Sequence, residues 1–171
     1  RGPVSGSWSS YFGRLAAYNT WANLRLYAAC DELSESAYLQ SRAAFFGGIH
    51  GTLNHILVGD RIWFARFEGR QPAVTALDQQ LYGDLAGLRV ARVAEDARIE
   101  AFVRHLGEDD FDQQVAYQNL AGESYEQPLG ALLGHVFNHQ THHRGQAHDQ
   151  LSQTAVAPPS LDLIGFMRET V

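Results

Sequence analysis

Gly134–His148 reads GHVFNHQTHHRGQAH, and the spacing within it decides both the fold class and the place where chemistry can sit. His135, His139 and His143 recur at four-residue steps. An α-helix rises about 1.5 Å per residue, so side chains at i and i+4 stand roughly 6 Å apart on one face. Two imidazoles so placed can grip one metal ion. The ends of the row lie about 12 Å apart, so only an adjacent pair can chelate. The spacing permits His135–His139 as well as His139–His143. An earlier run, GTLNHILVGDRIW at Gly51–Trp63, carries His55 among Leu53, Ile56 and Leu57. A lone histidine in such company is more often a core residue. With a chelating pair elsewhere it becomes the candidate third ligand. Three protein ligands leave a coordination position open, which is the arrangement of a catalytic rather than a structural metal.

Working outward, apolar periodicity predicts four long helices. The first spans about 8–33, with Tyr11, Leu15, Tyr18, Leu24, Tyr27 and Ala28 at three- and four-residue steps. The second spans about 45–67 and stops at Gly69; the third spans about 84–106, with Leu88, Ala91, Ile99, Phe102 and Val103 inward. Residues 113–118 and 124–126 read as two short strands around a glycine turn. The fourth helix starts at about Pro128, a favoured first helical position, and runs to Leu151. The tail carries one more short helix after Pro158 and Pro159. The expected fold class is therefore all-α: a four-helix bundle with a hairpin before the last long helix. Bundles of this kind hold metals between facing helices.

Composition narrows the function. The 171 residues suit one domain, 8–171, preceded by a polar segment, RGPVSGS at 1–7, expected to be a flexible end or tag remnant. All 13 basic residues are arginine, which excludes lysine Schiff-base chemistry. A net charge of −6 without an arginine cluster argues against nucleic acid as a partner. Cys30 is the single cysteine, which excludes an intrachain disulfide and fits a reducing cytoplasm. No run approaches the roughly 20 apolar residues of a membrane span.

The remaining histidines read differently. His142 is offset by about 100° from His143 and faces another side. His148 is expected nearer the surface, His105 at a helix end, and His50 off the face that carries His55. Neither histidine pair has the HExxH form, so a metalloprotease would lack its glutamate base. Asn54, Asn138 and Gln146 are candidate partners for the ligand imidazoles. Gln140 and Arg144 are candidates for orienting a substrate, or else polar groups on an exposed helix face. Glu123 and Glu126 of the hairpin are candidate bases at the mouth of a site. Trp21, Trp63, Tyr18 and Phe137 are expected in the core unless they line a metal pocket.

LNHILVGDRIW at Leu53–Trp63 and LLGHVFNHQTHHRGQ at Leu132–Gln146 together resemble the DinB family of four-helix-bundle proteins. YNTWAN at Tyr18–Asn23 and YQNLAGESYEQPL at Tyr117–Leu129 extend the resemblance, which spans about 11–168. It implies an up-down-down-up bundle and a divalent metal, zinc or nickel, held by His55, His139 and His143, with His135 outside the ligand set. It also implies a homodimer. The wider superfamily includes transferases that use low-molecular-weight thiols. The expected function is thus a metal-dependent thiol transferase acting on a small molecule. A metal-dependent hydrolase and a non-catalytic, stress-related metal-binding protein are the alternatives.

Overall fold

The computed structural model describes residues 6–170; residues 1–5 of the N-terminal segment lie outside them. Four long helices form the body: α1 (Trp8–Asp31), α3 (Ile49–Phe67), α4 (Leu85–Arg104) and α5 (Leu129–Leu151). Short helices α2 (Glu35–Leu39) and α6 (Leu163–Glu169) flank it, and strands β1 (Gln114–Gln118) and β2 (Ser124–Pro128) form an antiparallel hairpin. No helix among the described residues is long and apolar enough to cross a membrane.

Side-chain pairs give the helix directions. Ser9 bonds the carbonyl of Leu106 and Asn19 bonds Asp96, so α1 runs antiparallel to α4. Gln150 bonds Thr52 while His139 meets Gly59, so α5 runs antiparallel to α3. Phe12 stacks on Phe137 and Arg144 bonds Asn19, so α1 and α5 are parallel. The order is up-down-down-up, as the resemblance implies.

Helix ends follow their local chemistry. Ser7 Oγ accepts from Ser10 N–H, and the Glu108 carboxylate accepts from the N–H groups of Trp8 and Ser9, filling the donors that open α1. Asp84 caps α4 through Gly87 N–H at 2.7 Å. The second long helix starts at Ile49 and not at Phe45, because Gly47 and Gly48 have φ of 79° and 156° and turn the chain before it. Pro128 is the cap of α5 and the last residue of β2; the first helical residue is Leu129.

The buried face of α1 also differs from the expected one. Phe12, Ala16, Asn19, Asn23, Leu26 and Cys30 point inward, whereas Tyr11, Leu24 and Ala28 are exposed. The inward face contains two asparagines, which mask it in any reading by hydrophobicity. They belong to a polar layer across the middle of the bundle. Below it lies an apolar cluster with Leu26, Leu53, Leu88 and Leu151; above it lies one with Phe12, Phe64, Ile99 and Phe137. In the layer, Arg92 stands 2.7 Å from Asp60 and 2.8 Å from Asp96. Asn19 and Asn23 donate to Asp96 and accept from Arg144, while Gln140 donates to Asp60 at 2.8 Å. Two arginines and two aspartates leave the layer with no net charge.

Candidate metal centre

The face of α5 about 100° round from this layer carries the histidines. His139 and His143 sit one residue before Gln140 and Arg144, so the side chains that lock α5 into the bundle also set the rotation of the histidine pair. His55 Nε2 lies 3.0 Å from His139 Nε2 and 3.2 Å from His143 Nε2. Three imidazole nitrogens on a tetrahedral ion would stand roughly 3.3 Å apart, given metal–nitrogen bonds of about 2.0–2.1 Å. The donor set therefore fits a divalent metal in position and in kind.

Hydrogen bonds on the far side of two rings strengthen that fit. His55 Nδ1–H donates to the Leu77 carbonyl at 2.8 Å, and His143 Nδ1–H donates to Gln146 Oε1 at 2.7 Å. Each bond leaves an Nε2 lone pair. Two lone pairs facing each other at 3.2 Å repel unless a cation lies between them. Phe46, from the turn before α3, stacks on His55 with ring centroids 3.8 Å apart. Gly59 makes room for His139: a Cβ there would fall 2.7 Å from Cε1 of the ring. A glycine one turn after His55 is the mark that this close approach leaves in the sequence.

Burial holds His50, His55, His135, His139 and His143 below the ordinary imidazole range. His139 is pushed down to about 3, by burial first and then by His143 and His55. All three candidate ligands are thus neutral near pH 7, as metal binding requires. The unfolded chain takes up these protons near pH 6.5. Below that the folded state binds fewer protons, so the stability of the metal-free protein falls with pH. Asp60, pushed up by burial to about 6, acts in the opposite direction between about pH 6 and 4 and blunts the fall. The expected result is a melting temperature several degrees lower at about pH 6 than at about pH 7.5; a flat or rising profile would contradict the buried neutral histidines.

The remaining candidates are distributed elsewhere. His135 lies beside Trp63, its ring 5.9 Å from that of His139, outside the trio. His50 bonds Tyr38 and the Tyr82 carbonyl, His148 donates to the Pro159 carbonyl and His105 to that of Ala101; these three tie down chain segments. Gln146 supports His143 as expected. Asn54 instead holds Leu81 and Tyr82 of the connection, and Asn138 is exposed. Gln140 and Arg144 neither reach a substrate nor face solvent; both are buried in the polar layer. Glu123 is engaged by Asn119 and Tyr125, and neither it nor Glu126 lines the site. Cys30 is buried, and burial, with Asp31 adding to it, pushes its thiol up to about 12, which excludes a reactive thiolate there.

The trio opens on a cavity of about 720 Å³ bounded by Phe45, Phe46, Trp63, Leu77 and the tip of the hairpin. Among the described residues, no carboxylate lines it.

Comparison with known proteins agrees with this architecture. The sequence profile of the DinB family matches residues 8–170. The chain is 28% identical over 169 residues to the protein DinB of Bacillus subtilis (strain 168), covering 95% of this chain and 98% of that one. Its fold is similar to the crystal structure of a DinB-like protein from Bacillus cereus ATCC 10987, with a TM-score of 0.63 at 18% identity, over 84% of this chain and 91% of that one. With the family profile spanning almost its whole length, the chain belongs to the DinB family.

Proposed function

We propose that the protein is a metal-dependent enzyme of the thiol-transferase type, with zinc or nickel held by His55, His139 and His143. The observation that carries this reading is the convergence of three Nε2 atoms on an open cavity and not on a covered core position. A metal serving only to tie α3 to α5 would need no such opening. Three neutral ligands would leave the ion its full 2+ charge, a charge that would favour the thiolate form of a thiol at neutral pH. The side chains supply the rest. Leu77 and Gln146 fix the imidazole orientations, Phe46 shields His55, and the aromatic wall excludes water from one side of the reacting centre. The thiolate sulfur would form a bond to the electrophilic carbon of a small-molecule substrate. The leaving group departs with the electron pair of the broken bond, and the thiol proton passes to solvent through the open mouth.

The test is the rate of attack of a low-molecular-weight thiol, such as cysteine methyl ester, on a chromogenic aryl halide. The zinc- or nickel-loaded protein is expected to exceed the metal-stripped protein by at least about 100-fold, the scale of one well-supplied catalytic effect. Equal rates would overturn the reading.

A further inference from the structure

The cavity beside the histidines extends along α3 towards Arg66. Among the described residues, Arg66 and the histidines are its titratable lining, beside Asn119, Gln146 and the Trp63 indole. In a protein with a net charge of −6, this cavity thus has no carboxylate of the described residues on its wall and holds an arginine. Arg66 is held in place from two elements. Its guanidinium carbon lies 4.5 Å from the Trp63 ring centroid and 4.7 Å from that of Tyr117, and one terminal nitrogen donates to the Gln118 carbonyl at 2.8 Å. Among the described residues it forms no ion pair, and its Nε is shut off from water without a hydrogen-bond partner. Most other arginines of this chain face a carboxylate: Arg25, Arg61, Arg70, Arg89, Arg92, Arg98 and Arg104 all do.

We propose that Arg66 binds the carboxylate of an elongated, mostly apolar substrate whose other end lies at the three histidines. This deepens the proposed function and rests on it only for what happens at the metal end. Eleven residues separate Arg66 from His55, roughly 16 Å along the helix axis, and the long arginine side chain shortens that span. An extended ligand, such as a phenyl ring joined to a carboxylate by a short alkyl chain, bridges it. Between the two ends, Ile62, Trp63 and Leu120 offer apolar contact, and a guanidinium stacked on two rings is preorganised to take a carboxylate.

The experiment measures the binding of 6-phenylhexanoate and of its neutral counterpart, 6-phenylhexanamide, by calorimetry. Wild type, Arg66→Gln and Arg66→Lys are compared, each with zinc and after stripping, beside metal-free His139→Ala. The acid is expected to bind wild type at least about tenfold tighter than the amide, with or without metal. Arg66→Gln should erase that ratio by weakening the acid far more than the amide, and continued binding of the amide shows that the cavity is intact; Arg66→Lys should keep part of the ratio. A preference that survives Arg66→Gln but vanishes on stripping and in His139→Ala would put the anion on the metal, overturning the role of Arg66 and supporting the metal centre. Equal binding of acid and amide to wild type would overturn the proposal as well. An Arg66-dependent preference in a protein that takes up no metal would uphold it and defeat the metal reading instead.

Discussion

His139→Ala is expected to lower the affinity for zinc or nickel by more than about 100-fold, and His135→Ala to leave it unchanged. Losing a group that merely supports a metal ligand typically costs about 10–100-fold, and losing the ligand itself costs more. The two variants separate the registers that helical spacing leaves open. His135 is on the same face of α5 as His139, but its ring packs against Trp63, whereas His139 Nε2 meets His55 Nε2 at 3.0 Å. Gly59→Val should approach the His139→Ala result with every histidine intact, because its Cβ would overlap the ring position of His139. Competition against a chromophoric chelator, using protein without an affinity tag, measures all three. A strong loss in His135→Ala with none in His139→Ala would put the centre one turn away from where the geometry sets it.

Arg92→Leu is expected to lower the unfolding free energy by about 3–5 kcal/mol, the usual cost of removing one partner from a buried ion pair. That is a large share of the roughly 5–15 kcal/mol that holds a domain folded. Arg92, Asp60 and Asp96 are each at most 2% exposed, so neither aspartate can turn to water when the guanidinium is gone. The Arg92 nitrogens stand 2.7 Å from the Asp60 carboxylate and 2.8 Å from that of Asp96, so the three groups form one buried ionic cluster. Burial alone works against the Arg92 charge, and Asp96 and Asp60 outweigh it. Asp60 is already pushed up to about 6 by burial, with Arg92 pulling against the shift. Without Arg92 it should take up a proton near neutral pH, so the loss should shrink at about pH 5. Asp60→Leu combined with Arg92→Leu should cost less than Arg92→Leu alone, because no unpaired charge then remains at that point. Urea unfolding followed by circular dichroism checks each expectation; a loss under about 1 kcal/mol in Arg92→Leu would mean that the layer does not depend on its charges.

Much of the site was legible because its signals are local. The step from His139 to His143 is a property of one helix, and so is the apolar setting of His55. The partners of those imidazoles were only partly legible. Gln146 is three residues from His143 and was within reach of the same reasoning. Leu77 acts through a backbone carbonyl and Phe46 through a turn, so neither leaves a mark in residue type. Gln140 and Arg144 were not legible as core residues, because polar side chains on a helix ordinarily face solvent and only their partners on two other helices, Asp60 of α3 and Asn19 and Asn23 of α1, make their burial tolerable.

By itself, the sequence determined the helical class, the four long segments, the hairpin and a set of histidines able to bind one metal. Each follows from periodicity of 3.6 or 2, or from turn residues, and these act within a few positions of the chain. The tertiary structure decided which histidines meet, which face of α1 is buried, and that the histidine site opens on a cavity free of carboxylates. Those outcomes depend on the rotation of each helix about its own axis. That rotation is set by contacts between residues far apart in sequence: Asn19 with Asp96, Asp60 with Gln140, and Gly59 with His139.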